Sequence, residues 1–177
     1  MLRRVAAVTV ALAMVAVFAT GCQPEPAPSP TGPVFATEEE AFAAAEETYR
    51  AYVEALNQVD LSDPETFEAV YAWTTGDANA NERKTLTQMH ADGWNVSGET
   101  AVRSFRGKTA DLDSVQVDAV VCSDVSAVEV VDANGESVVS AERPDAYALA
   151  IEFVTSTATE TGLAIASSNA VEDSACP

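Results

Sequence analysis

Residues 147–154 read Tyr-Ala-Leu-Ala-Ile-Glu-Phe-Val, and this stretch gives the clearest indication of the fold. Large apolar residues occupy every second position, at Tyr147, Leu149, Ile151 and Phe153. A two-residue period places these side chains on one face of a β-strand, where they can be buried together. The stretch is therefore predicted to be a long strand of a β-sheet.

Further strands are predicted on both sides of this stretch, from runs of β-branched and aromatic residues. They cover residues 94–97, 101–108, 115–123, 127–131, 136–140 and 163–167. The sequence Asp132-Ala-Asn-Gly135 between two of them is typical of a hairpin turn. Because no helical pattern lies between these strands, we expect them to pair as an antiparallel meander.

The chain before Gly93 has the period of α-helices instead. The first helix is predicted from about Glu38 to Gln58, with Thr37 as its N-cap and Glu40 completing a capping box. Its inward stripe consists of apolar residues at helical spacing, namely Phe42, Ala45, Tyr49, Tyr52, Val53 and Leu56.

Two shorter helices are predicted after the first one. The second follows Asp63-Pro64, a cap with proline in the first helical position, and Gly76 is expected to end it. The third is expected to be capped by Asp77, to carry Leu86 inward and to end near Asp92-Gly93. Three helices followed by consecutive strands predict an α+β domain, with the helices on one face of a curved antiparallel sheet.

The first 22 residues have the layout of a bacterial export signal. Arg3 and Arg4 precede an uncharged apolar run at residues 5–18, and Ala19-Thr-Gly-Cys22 follows this run. The junction resembles the lipobox of bacterial lipoproteins, in which the cysteine is acylated and becomes the first residue. Residues 1–21 are therefore predicted to be a lipoprotein signal peptide. Acylated Cys22 is predicted to anchor the chain in the lipid bilayer, on the extracytoplasmic face of the cell membrane.

Two other interpretations of this segment are open. A transmembrane helix would need about 20 apolar residues, whereas the run is interrupted by Gly21, Cys22 and the prolines that follow. Cleavage at an ordinary signal peptidase site would instead release the domain with a free cysteine. Residues 22–35 are rich in proline and are predicted to be an extended tether between the membrane and a single domain at residues 36–177.

The charge of the chain argues against one class of partner. The formal net charge is −19 at pH 7, with acidic residues dispersed along the sequence. Such a charge repels nucleic acids and anionic lipid headgroups. No nucleic acid partner is therefore predicted.

Four segments of the domain carry a resemblance to a known family. They are residues 36–53, 59–67, 70–76 and 90–93, which read ATEEEAFAAAEETYRAYV, VDLSDPETF, VYAWTTG and HADG. The chain resembles NTF2-like domains, and in particular a group of small, uncharacterised actinobacterial surface lipoproteins, over nearly all of residues 36–176. The resemblance implies a cone-shaped α+β domain. It leaves the activity open, because the wider fold includes isomerases, dehydratases and pure binding modules.

Few side chains of the domain are candidates for chemistry. His90 is the only histidine and could act as a general base, although a structural or exposed role is the stronger interpretation. A pocket between helices and sheet could be lined by Tyr49, Tyr52, Trp73, His90 and Trp94, although the spacing of the aromatic residues favours core packing. No catalytic residue, cofactor or metal ion is predicted.

Two functions from different classes are consistent with these observations. The first is a non-enzymatic binding or interaction module, which would bind an envelope protein or a small ligand. The alternative is an NTF2-like lyase or isomerase that acts on a small apolar substrate in the cone. An enzyme would need a titratable group that faces apolar walls, and a binding module would not.

Three cysteines suggest one disulfide bond. If Cys22 carries lipid, Cys122 and Cys176 are the remaining pair in an oxidising compartment, where they are expected to form a disulfide. The alternative is two unpaired thiols. The bond would fix the C-terminal end of the chain to the sheet.

Overall fold

Helix α1 spans Glu38–Asn57 in the computed structural model of the chain, which describes residues 35–172 and Cys176. The predicted cap is present, because the Thr37 hydroxyl accepts a hydrogen bond from the Glu40 backbone N–H at 3.2 Å. The Glu40 carboxylate accepts from the backbone N–H of Ala36 at 2.8 Å, one residue before its expected partner. Both hydrogen bonds stabilise the first turn of α1.

The second helical segment begins at the predicted cap. The Asp63 carboxylate accepts a hydrogen bond from the Glu65 backbone N–H at 3.1 Å, at the start of a 3-10 turn over Pro64–Thr66. Helix α2 continues directly from this turn over Phe67–Tyr71.

Helix α3 spans Gly76–Ala91, so Gly76 does not end the second helix but begins the third. Its N-cap is Thr75 rather than the predicted Asp77, which lies in the first turn. The cause is a tertiary contact, because the Thr75 backbone N–H donates to the carbonyl of Ile165 at 2.8 Å and holds the preceding chain beside a strand. Gly76 then adopts a φ of 53°, a left-handed conformation that favours glycine.

The strands that follow are β1 (Asn95–Ser97), β2 (Ala101–Asp111), β3 (Gln116–Asp124), β4 (Glu129–Val131), β5 (Ala146–Thr155) and β6 (Leu163–Val171). Strands β2, β3, β5 and β6 form one antiparallel sheet in that order. Bulges interrupt the pairing of β2 with β3 and of β5 with β6, and such bulges bend a sheet. Strands β1 and β4 pair separately, as a two-stranded β1–β4 ribbon.

Residues 136–140 do not form the predicted strand. The chain after the predicted hairpin turn makes a single bridge, between Val131 and Ser137. The guanidinium of Arg143 then donates to two backbone carbonyls before β4, at 2.9 and 2.8 Å. These bonds draw the chain back toward β5, so no second ladder extends the ribbon.

One face of the sheet carries the main core. Buried residues of β3 and β5, Val117, Ala119, Val121, Ile151 and Phe153, pack against Ala41, Ala45, Tyr49 and Val53 of α1. A second cluster joins α2 and α3 through Leu61, Phe67, Val70, Tyr71 and Leu86. The predicted α+β fold class is confirmed, because three helices pack on one face of an antiparallel sheet.

The opposite face of the sheet carries the disulfide. Cys122 alternates with Val121 along β3, so its side chain points away from the helices. The structure places its sulfur at bonding distance from that of Cys176, with the two Cα atoms 5.3 Å apart, which supports the predicted pairing.

The predicted signal peptide, Cys22 and the proline-rich tether lie outside the described residues. Among the residues that are described, no helix is long and apolar enough to cross a membrane.

Candidate functional site

A cavity of about 270 Å³ lies between α1, α3 and the β1–β4 ribbon. Its walls come from four parts of the chain, namely the end of α1 with the following loop, one side of α3, the turn between β1 and β2, and the segment around β4. The lining residues are Leu56, Asn57, Val59, Leu61, Glu82, Thr85, Leu86, Met89, Val96, Gly98, Thr100, Val128 and Val130. Most of them are apolar, and Glu82 is the one ionisable side chain in this set.

Glu82 is held in place by a tyrosine of α1. The Tyr52 hydroxyl donates a hydrogen bond to Oε1 of Glu82 at 2.5 Å. Burial raises the pKa of Glu82, and the hydrogen bond from Tyr52 opposes this rise. Burial also raises the pKa of Tyr52 well above its ordinary value, and the negative charge of Glu82 adds to this effect. Tyr52 therefore keeps its proton and acts as the donor.

A second buried tyrosine supports the first. The ring centroids of Tyr49 and Tyr52 are 5.8 Å apart, one turn of α1 from each other. The pKa of Tyr49 is raised to about 12, because the effect of burial exceeds the opposite effect of a hydrogen bond with the Ser123 side chain. Tyr49 thus connects α1 to β3 behind the Tyr52–Glu82 pair, and this packing limits the movement of Tyr52.

The turn between β1 and β2 is fixed to the end of α1. The side chain of Asn57 donates to the carbonyl of Thr100 at 3.0 Å and accepts from the Thr100 backbone N–H at 2.9 Å. Gly98, in the same turn, has a φ of 80°, and a Cβ atom there would overlap the carbonyl of Ala127. The Asn57–Thr100 bonds hold this turn close to α1, while Gly98 allows the turn to approach the chain before β4 closely. Both contacts help to form one side of the cavity.

The five residues predicted to line a pocket do not meet in one place. None of them is among the residues that line the cavity, although Tyr52 contacts its wall through Glu82 and His90 contacts it through the carbonyl of Leu61. Trp94 packs instead on the cluster formed by α2 and α3, and Trp73 lies in the segment beside β6. Tyr49 belongs to the main core.

His90 has a structural environment. Its Nδ1 atom is 2.6 Å from the carbonyl oxygen of Leu61, within hydrogen-bond distance. The imidazole ring packs edge-on against Phe67, with centroids 6.3 Å apart. These contacts tie the end of α3 to the loop after α1.

Glu82 was not among the candidates from the sequence, although a signal for it exists. Glu82, Leu86 and Met89 are spaced by four and three residues, so they lie on one face of α3. A charged residue in an otherwise inward stripe indicates a buried polar site. The walls from β1 and β4 could not be found in this way, because their position depends on the separate pairing of the ribbon.

The described residues contain no group of three or more His, Cys, Asp or Glu side chains that could hold a metal ion.

No protein-family model and no curated protein sequence matches the chain. Several solved structures have a similar fold. The intermembrane space region of the chloroplast protein ARC6 is 14% identical, over 75% of this chain and 97% of that one, with a TM-score of 0.49. The VirB8 protein of Agrobacterium tumefaciens is 13% identical, over 81% and 98%, with a TM-score of 0.48. Aln2 from a Streptomyces species is 14% identical, over 74% and 89%, with a TM-score of 0.44.

Proposed function

We propose that this chain is a lipoprotein of the extracytoplasmic face of a bacterial cell membrane, and that its cavity binds a small, mainly apolar molecule. The location is supported by the sequence of residues 1–22, where an apolar run ends at a lipobox-like junction with Cys22. The resemblance to actinobacterial surface lipoproteins supports the same location. A non-enzymatic binding module is the function that the cavity favours.

The observation that carries the binding proposal is the composition of the cavity walls. Eight apolar side chains surround the space, while Glu82 supplies a single charge. Burial of a ligand against such walls contributes about 25 cal/mol per Å² of apolar surface. A mainly apolar cavity with a few polar groups is also the usual form of a small-molecule site.

The hydrogen bonds around the cavity leave it ready to bind. Both polar atoms of the Asn57 amide bond to the backbone of Thr100, which fixes the orientation of this side chain in the wall. Glu82 is held by Tyr52. A preorganised site loses less conformational entropy when a ligand enters.

Binding can be tested by NMR, with the methyl group of Met89 as the reporter. Met89 lines the cavity, and the other methionines of the chain, Met1 and Met14, lie within the predicted signal peptide. The full chain, labelled at its methionine methyl groups and held in phosphatidylcholine nanodiscs, is titrated with 2-phenylethanol. We expect the Met89 methyl resonance to shift in a saturable way.

A matched pair of variants controls this experiment. Thr85 is exposed and lines the cavity, whereas Thr87 is exposed on the same helix and does not line it. Thr85→Trp should fill the space and abolish the shift, and Thr87→Trp should preserve it. A Met89 resonance that never moves, or that moves equally in both variants, would contradict binding in this cavity.

One observation favours the enzymatic alternative. Glu82 is a titratable group beside apolar walls, and its raised pKa is the property of a general base. A lyase or isomerase also needs donors for the oxyanion that develops on the substrate, whereas the Asn57 amide in this wall already donates to the carbonyl of Thr100. Deuterium exchange into cyclohexanone tests the alternative. An exchange rate above that of the buffer, lost in Glu82→Gln, would support the enzyme and contradict a pure binding module.

A further inference from the structure

We propose that the ligand of this cavity is a protonated amine with an apolar body, and that its ammonium group binds the Glu82 carboxylate. This inference rests on the proposed binding function and adds the chemical class of the ligand. It follows from three features of the structure, namely the free oxygen of Glu82, the position of the neighbouring cations and the charge of the chain.

The first feature is the hydrogen bonding of Glu82. Its Oε1 atom accepts from the Tyr52 hydroxyl, while Oε2 has no donor among residues 35–172 and Cys176. An ionised carboxylate has about four acceptor sites on its two oxygens. Glu82 lines the cavity and therefore retains acceptor sites for hydrogen bonds from a ligand.

The second feature is that Glu82 forms no ion pair with a described residue, and that its neighbour Arg83 is held elsewhere. Within the described part of the chain, the ion pairs are Arg50–Glu46, Arg83–Glu68 and Arg103–Asp124, and none includes Glu82. Arg83 follows Glu82 directly in α3, but its guanidinium lies 4.0 Å from the ring centroid of Tyr71, on the outer side of the helix. It is held there by Glu68 at 3.5 Å and by the Asn79 side-chain oxygen at 2.9 Å.

Glu82 is therefore a half-buried negative charge, and among the described residues its hydrogen-bond donor is the neutral hydroxyl of Tyr52. Burial of a charge is unfavourable unless the charge is paired. A hydrogen bond between two charged groups is roughly twice as strong as one between neutral groups. An ammonium group would therefore bind Glu82 more strongly than a hydroxyl or an amide of the same size, and a carboxylate ligand would be repelled.

The volume and the lining of the cavity indicate the size and polarity of the part of the ligand beyond its amino group. A volume of about 270 Å³ is equal to that of about nine water molecules at roughly 30 Å³ each. The remaining walls are Leu, Val and Met side chains, together with Thr85, Thr100, Gly98 and Asn57. A compact hydrocarbon or aromatic body with one amino group fits this combination.

The third feature is the charge of the whole chain. With a formal net charge of −19, the chain attracts cations and repels anions at long range. The net charge of the chain and the charge of the Glu82 carboxylate are both negative. Electrostatic attraction therefore favours the approach of the same ligand class that the cavity would bind.

The test compares three ligands with the same phenyl group, 2-phenylethylamine, 2-phenylethanol and 3-phenylpropanoate. The full chain in phosphatidylcholine nanodiscs is titrated with each, the Met89 methyl resonance is followed, and empty nanodiscs correct for partition into lipid. We expect the amine to bind about tenfold more tightly than the alcohol, a difference of about 1.4 kcal/mol, since a hydrogen bond between two charged groups is stronger than one to a neutral group. The carboxylate should bind least.

Two variants assign the preference to Glu82. Glu82→Gln keeps the shape of the side chain and should remove the preference for the amine while binding of the alcohol persists. Glu47→Gln removes a charge from an exposed position on α1, away from the cavity, and should leave the preference intact.

The outcomes separate this inference from the proposed function. If the alcohol binds as tightly as the amine, or if the amine preference survives in Glu82→Gln, the ligand class is wrong although the cavity still binds. If 3-phenylpropanoate binds best, Glu82 acts as a protonated donor and the inference is overturned. If none of the three ligands moves the Met89 resonance, the binding function fails as well.

Discussion

At the scale of single residues, Glu82 is the most informative position in the molecule. It is a carboxylate on the inward face of α3, where Leu86 and Met89 continue the stripe. Its burial is only partly offset by the hydrogen bond from Tyr52, and the two nearest tyrosines also have raised pKa values. Such a residue lowers stability, so its presence is easier to understand as part of a binding site than as part of a core.

Because burial of the ionised Glu82 carboxylate lowers stability, the stability of the chain should depend on pH. The pKa of Glu82 is raised above 4.5 in the folded chain, so the contribution of this residue to stability is fully present below pH 4.5 and is lost as the pH rises through the raised value. Glu82→Gln does not titrate. We therefore expect its melting temperature, relative to the unsubstituted chain, to increase between pH 4 and pH 7 in thermal unfolding. A difference in melting temperature between Glu82→Gln and the unsubstituted chain that does not change with pH would contradict the raised pKa. Glu47→Gln, a substitution at an exposed position, serves as the control.

At the scale of elements, the β1–β4 ribbon decides whether a cavity exists. It pairs with itself rather than with the main sheet, and the Asn57–Thr100 hydrogen bonds fix it to α1. The close approach of Gly98 to Ala127 brings its two sides together. Without these contacts, the cavity would lose the wall formed by Val96, Val128 and Val130.

Two glycines allow this role of the ribbon to be tested. Gly98 and Gly135 have φ values of 80° and 83°, but only at Gly98 would a Cβ atom overlap another part of the backbone. An alanine in the left-handed conformation costs about 1–2 kcal/mol, and an overlap adds about 1–3 kcal/mol. Gly98→Ala should therefore reduce the free energy of unfolding by more than Gly135→Ala in urea titrations, and it alone should move the Met89 resonance. Equal losses would show that the close approach at Gly98 is unimportant.

The disulfide belongs to the same scale, because it joins β3 to the C-terminal end of the chain. Cys122 and Cys176 are separated by 54 residues, and closing a loop of this length stabilises a fold by about 4 kcal/mol in the chain-entropy model. Mass spectrometry of non-reduced peptides should find the two cysteines linked, and Cys176→Ser should lower the free energy of unfolding by up to that amount. Alkylation of both thiols without prior reduction would contradict the bond.

The elements themselves were largely predictable, and their tertiary surroundings were not. The periods of residues 147–154 and of α1 are local properties, so they predict a strand and a helix correctly. The start of α3 was wrong by two residues because its N-cap is set by Ile165, which is distant in sequence. For the same reason, the walls of the cavity, which come from four separate segments, could not be assembled from the sequence.

At the scale of the whole molecule, the proposal combines an acidic domain with a lipid anchor. The negative charge that attracts a cationic ligand also repels anionic headgroups, so the domain should stand away from an anionic membrane. A proline-rich tether would provide the required distance.

The anchor gives the prediction for the whole chain. When the chain is expressed in a bacterium that processes lipoproteins, a labelled fatty acid should be incorporated into it, and Cys22→Ala should abolish this incorporation. The expected physical reason is that the Cys22 thiol is the acceptor of the acyl chains. A soluble mature protein that begins at a residue other than Cys22 would contradict the anchor.

The edges of the sheet have a consequence for neighbouring copies of the chain. At β6, the backbone of Ile165 already bonds to Trp73 and Thr75, at 3.0 and 2.8 Å, so a foreign strand finds this position occupied. At β2, two bulges and the side chains of Arg103 and Lys108 interrupt the opposite edge. Both devices prevent edge-to-edge aggregation. If the chain is anchored in a membrane as proposed, its copies would therefore collide often without pairing through their sheet edges.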